Sequence, residues 1–149
     1  MQVSIYSRET VTKLLKSGFP EKVAVISFYD PPSANSDPPV DYSAKTDRVF
    51  MVAIHDIDLS VLPEFHFTYD SYFPEVDKLA EFIYEVKSDG LDIICQCEYG
   101  ESRSSGCAAA ILEHFCKNGI SIFADYRYYP NQVIYHKVFD ALEKLAAEK

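Results

Sequence analysis

No apolar run in this chain of 149 residues approaches the roughly 18 needed to span a membrane. The opening stretch, MQVSIYSRET, has no basic segment followed by an apolar one, so no secretory leader is expected. Positive charge is scarce. Lys and Arg total 14 against 23 Asp and Glu, giving a formal net charge of −9 and a pI near 4.8. That balance argues against nucleic acid or an anionic membrane as partner, since both are bound by clustered Lys and Arg. Any anion site must therefore be local. Cysteine is also sparse, limited to Cys95, Cys97, Cys107 and Cys116. With no export signal a disulfide framework is not expected. Cys95-x-Cys97 has no second close pair, and the histidines are scattered, so neither zinc nor another metal or cofactor is implied. Repeats, low-complexity tracts and a dividing linker are absent. One domain over residues 1–149, in the cytoplasm, is the expectation.

What is present reads as strands separated by helices. Val3 to Tyr6 is a short apolar run. Ser7 then precedes a helical pattern (Val11, Leu14, Leu15) that ends near Gly18. Val23 to Tyr29 is continuous, apolar and rich in β-branched residues, as in a strand buried on both faces. Residues 30 to 47 hold four prolines and form a loop. Arg48 to Ile54 is the next strand. Asp70 or Ser71 is positioned to cap a helix with Pro74 in its first turn, running on to Gly90. Leu91 to Cys95 is the most buried-looking strand. A helix from Ser104 to Lys117 follows, then a short extended piece at Ile120 to Phe123. A last helix opens at Pro130-Asn131. This order predicts an α/β fold with a mostly parallel central sheet flanked by helices.

The chemistry concentrates in CQCEYGESRSS, residues 95 to 105. In such sheets ligands bind beyond the carboxyl ends of the strands, where a loop enters a helix. Cys97 falls there. Between it and Arg103, the backbone amides of Glu98, Tyr99, Gly100, Glu101 and Ser102 can curl inward, with Gly100 permitting the turn. The following helix adds free N–H groups and a partial positive charge, a ready cradle for a tetrahedral oxyanion. Arg103 can close over it with two parallel hydrogen bonds. The same field favours the thiolate of Cys97. Ser104 is placed to donate a hydrogen bond to that sulfur.

Cys97 to Ser104, C-E-Y-G-E-S-R-S, resembles the signature loop C-x-x-G-x-x-R-[S/T] of the cysteine-dependent protein phosphatases, the tyrosine and dual-specificity groups above all. The resemblance extends over most of the chain: a strand-helix-strand start, an acidic turn before a helix, and a final helix led by Tyr129-Pro130-Asn131. It implies Cys97 as nucleophile, Arg103 with the amides of 98 to 103 as phosphate clamp, and Ser104 as the hydroxyl assisting turnover of a phosphocysteine. The family usually has His before the cysteine, where this chain has Gln96. Glu98 and Glu101 add negative potential beside a dianion, which suggests a slow or selective enzyme.

A proton donor for the leaving group is sought in His55-Asp56-Ile57-Asp58, which follows a strand. Asp56 is preferred for its place nearest the strand end, and Asp58 is the reserve. Tyr72 and Phe73 read as packing, and the aromatic stretch Asp125 to Tyr129 as a surface patch or packing against the long loop rather than the lining of a pocket for an aryl group. Cys95 shares strand parity with Cys97 and reads as a small core residue. The function expected is metal-independent hydrolysis of a phosphomonoester, most simply on a phosphoprotein, with phosphate or sulfate binding in the 97–103 loop. A phosphate-binding module without turnover and a persulfide-transfer protein are the alternatives.

Overall fold

The strand leading to Cys97, β4 (Asp92–Cys97), lies inside a sheet rather than at its margin. In the computed structural model, which describes residues 1–149, it sits between β1 (Val3–Ser7) and β2 (Val23–Tyr29), with β3 (Val49–Ala53) beyond β2. All three pairings are parallel. β4 runs two residues further than its apolar run suggests, because Gln96 and Cys97 still pair with Tyr6 and Ser7. The nucleophile candidate thus stands at the carboxyl edge of the sheet.

Side-chain alternation divides the core in two. Ile93, Cys95 and Cys97 face the larger core, with Ala24, Ile26 and Phe28. That face is covered by α2 (Val76–Ser88), α3 (Arg103–Cys116) and α5 (Gln132–Glu148). Burying each of its Leu, Ile and Phe side chains contributes about 1.5–3 kcal/mol. Ile94 faces the smaller core with Val11, Val23, Val25 and Tyr42, under α1 (Arg8–Ser17). Ser7 caps α1 as its position suggests, its hydroxyl accepting from Thr10 N at 3.1 Å. The proline-rich stretch 30–47 is pinned to this second face by Tyr42, whose ring meets Phe19 at 6.1 Å. No helix is long and apolar enough to cross a membrane.

Two local expectations are corrected. Ile120–Phe123 is helical, not extended: it forms α4 against α3, away from any strand, and Ala124 N bonds back to Ile120 O at 2.9 Å. The helix expected from Asp70 or Ser71 starts later, at Val76, and its N-cap Glu75 makes no side-chain bond. Ser71 Oγ instead accepts from Thr68 N at 2.9 Å within its own turn. The reason is burial. Tyr72 and Phe73 are drawn into the core, which holds the chain in a turn ahead of Pro74. A 3₁₀ turn at Leu62–Phe65, not anticipated, connects β3 to this region.

Candidate active site

Five residues, 98 to 102, carry the chain from β4 to α3. Gly100 takes φ +68° there and is pressed onto β1: a Cβ would stand 2.7 Å from Ser7 N and 2.9 Å from Tyr6 C. Only glycine meets both demands. Three loop carbonyls are held by the scaffold. Glu98 O accepts from Arg8 N at 3.0 Å, Glu101 O from Tyr129 N at 2.8 Å, and Ser102 O from Asn131 N at 3.0 Å. By contrast, no backbone N–H from Glu98 to Arg103 donates within the protein. Ser102, ahead of α3, provides no side-chain cap. With these carbonyls tied to the scaffold, the amides of the loop are left without acceptors of their own, the arrangement from which backbone anion sites are built. Cys97 precedes the loop, with Sγ 3.0 Å from Ser104 Oγ. The sheet and α3 thus bring Cys97 and Ser104 into contact, with Arg103 the first residue of the same helix.

Arg103 is 5% exposed. Its Nη1 donates to Asp30 Oδ1 and to Ile54 O, both at 2.9 Å. Its Nε is buried without a partner. An unsatisfied buried donor costs about 1–3 kcal/mol, more when charged, so the fold holds this group ready at a cost. Nη1 of the guanidinium is fixed by Asp30 and Ile54, and Nε is left without a partner.

Beneath the loop, Gln96 occupies the position of the family's histidine. Its Nε2 donates to Cys97 O at 2.9 Å, while its Oε1 accepts from Ser27 Oγ at 2.5 Å and Tyr42 Oη at 2.8 Å. Burial drives the Tyr42 phenol well above its ordinary pKa, so it stays a donor. The amide is therefore satisfied at both ends, and it fixes the carbonyl of the candidate nucleophile. The 30–47 loop contributes to the site through this tyrosine.

Asp56 and Asp58, two residues apart, meet different surroundings. Asp56 Oδ1 accepts from Ser102 Oγ at 2.7 Å and Asn131 Nδ2 at 2.9 Å, which ties the β3 turn directly to the signature loop. Asp58 Oδ1 accepts from Ser60 N at 3.1 Å and Ser60 Oγ at 2.6 Å, a local turn bond. Asn131 also donates to Ile57 O at 3.0 Å and caps α5, its Oδ1 accepting from Ile134 N at 2.9 Å. Tyr72 Oη donates to His55 O from below, and burial pushes its phenol up to about 12. Asp30, Asn131 and Tyr42 were not singled out from sequence as site residues. A proline after Asp30 and one before Asn131 mark strand and helix ends, a weak signal at best.

The side chains of the loop residues point away from the cradle that their amides form, and the other cysteines and His114 lie apart from it. Glu98 turns away to pair with Arg8 Nε at 2.8 Å, Glu101 is exposed, and Tyr99 projects into solvent. Cys95 and Cys107 are fully buried, and the hydrogen bond the Cys95 thiol makes to Cys107, together with burial, raises the Cys95 pKa well above that of a free thiol. His114 is packed against Phe115, with Nε2 2.5 Å from Tyr84 Oη.

No protein-family model and no curated protein matches the sequence. Solved structures match the fold. A complex of PTPMT1 with PI(5)P has a TM-score of 0.56 and 14% identity over 99% of this chain and 94% of that one. Human DUSP28 gives 0.56 and 14%, over 99% and 95%. The PTP-2 phosphatase of Cydia pomonella gives 0.57 and 11%, over 94% and 85%. The chain has the fold of the cysteine-dependent, dual-specificity phosphatases.

Proposed function

We propose that the protein hydrolyses phosphomonoesters, a phosphotyrosyl or other phosphoprotein being the substrate, through a phosphocysteine on Cys97. The observation that carries this reading is the cradle itself: Cys97 Sγ against Ser104 Oγ, amides of 98 to 103 without internal acceptors, and the free Nε of Arg103. Phosphoryl oxygens would take these donors, which act on the charge that spreads over them in the transition state. The Cys97 thiolate attacks phosphorus as the P–O bond to the leaving group breaks. Asp56, protonated, gives its proton to the departing oxygen. Water then attacks the S–P bond with Asp56 taking its proton, inorganic phosphate leaves, and Ser104 donates to the recovering sulfur. The four cysteines are free thiols, which suits a reducing compartment such as the cytoplasm.

Steady-state hydrolysis of an aryl phosphate, compared with Cys97→Ser, tests this. Turnover that disappears in the variant is expected. Turnover that survives in Cys97→Ser would overturn it. Anion binding with no phosphate release would leave the cradle as a binding module.

A further inference from the structure

Next to the cradle lies a groove of about 580 Å³ between the turn after β3 and the start of α5. It shares a wall with the phosphate site, since Ser102 and Asp56 belong to both and are bonded at 2.7 Å. Its other walls include Asp58, Leu59 and Tyr129, and none of its lining residues is Lys or Arg. Tyr129 is 73% exposed and Leu59 61%, so an aromatic and an aliphatic surface stand open beside a carboxylate. Both bonds from Ser60 fall on Oδ1 of Asp58, leaving Oδ2 unpaired. Around the same sheet edge stand the carboxylates of Asp30, Glu98 and Glu101. Arg8 pairs with Glu98 at 2.8 Å and Arg103 with Asp30 at 2.9 Å, while Lys13 and Lys16 line a separate pocket with Glu98 and Glu101 and not this groove.

In the phosphatase reading the phosphate takes the amides of the loop and the unpartnered Nε of Arg103. Whatever flanks that anion enters a surface that is negative and aromatic, which complements a guanidinium or ammonium group by ion pairing and cation–π contact. We infer that this groove receives a cationic side chain adjacent to the phosphorylated residue, so that the preferred substrate is a phosphopeptide with Arg or Lys beside its phosphoresidue. The inference rests on the phosphatase reading of the cradle. It separates peptide from lipid, because a phosphoinositide in an anionic bilayer would bring further negative charge against the same carboxylates.

The test uses Cys97→Ser protein and two phosphotyrosyl peptides, identical except for Arg or Glu at the flanking positions, with binding followed by fluorescence anisotropy. The Arg peptide should bind about fivefold tighter or more at low salt. The advantage should shrink as salt screens the exposed charges. It should fall in Asp58→Asn and in Tyr129→Ala, and reverse in Asp58→Lys. Equal affinities, a preference for the Glu peptide, or stronger binding to vesicles carrying a phosphatidylinositol monophosphate would overturn it. Aryl-phosphate turnover by the wild-type chain is measured alongside. Turnover without a charge preference sinks the groove alone, and a charge preference without turnover sinks the catalytic reading alone.

Discussion

Asp56 and Asp58 carry the same carboxyl group but meet different neighbours. Asp56 is bonded to the signature loop and to the cap of α5. Asp58 is bonded only to Ser60. General acid catalysis is worth about 10²–10⁴ in rate where the leaving group needs a proton. Asp56→Asn should therefore slow an alkyl or phenyl phosphate by about that factor, and an activated nitrophenyl phosphate much less. Equal losses on both substrates, or this pattern in Asp58→Asn, would reassign the acid. The cysteines divide in the same manner. Cys95 keeps its proton because burial and Cys107 raise its pKa, and Cys107 is equally buried. Alkylation near neutral pH should label Cys97 and the exposed Cys116, with phosphate protecting Cys97 only. Early labelling of Cys95, or no protection by phosphate, would contradict this arrangement.

The turn after β3, the signature loop and α5 meet where α3 and α5 come closest. Gly106 in α3 allows the approach: a Cβ there would stand 2.6 Å from Asn131 O. Asn131 in turn caps α5 and holds Asp56. Gly106→Ala should cost about 1–3 kcal/mol through overpacking, and should slow poor leaving groups beyond what the lost stability explains. Denaturant titration with paired kinetics would show both. An unchanged midpoint would mean the helices separate freely. This junction also marks how far the sequence could be read. Cys97, Arg103 and Ser104 lie within eight residues, so spacing and a strand-to-helix turn sufficed to group them. Asp30 lies 73 positions from Arg103 and Asn131 75 from Asp56, and only the folded sheet and helices unite them. Gln96 reads locally as a missing histidine. Its bonds to Ser27 and Tyr42, 69 and 54 positions away, and through them its hold on the Cys97 carbonyl, exist only in the fold. The strand order could be anticipated only in kind, as parallel. The start of α2 was misjudged because the burial of Tyr72 and Phe73 outweighed a favourable capping residue.

Taken whole, the molecule is an acidic protein, formal charge −9, in which the proposed phosphate cradle is a local exception. Its negative surface and its unpaired donors oppose each other by design of the fold: the backbone amides and Arg103 act at contact distance, and the carboxylates act on what surrounds the phosphate. That arrangement weakens attraction for polyanions in general while leaving a local cradle intact. The proposed phosphatase mechanism depends on Cys97 carrying the phosphoryl group during turnover. The most direct measurement is acid quench of Ser104→Ala protein during hydrolysis of an aryl phosphate, followed by peptide mass analysis. Loss of the Ser104 hydroxyl should slow release of the sulfur, so a phosphoryl group should accumulate on the peptide containing Cys97. Turnover with no phosphoryl on Cys97, or with phosphoryl on another residue, would contradict it.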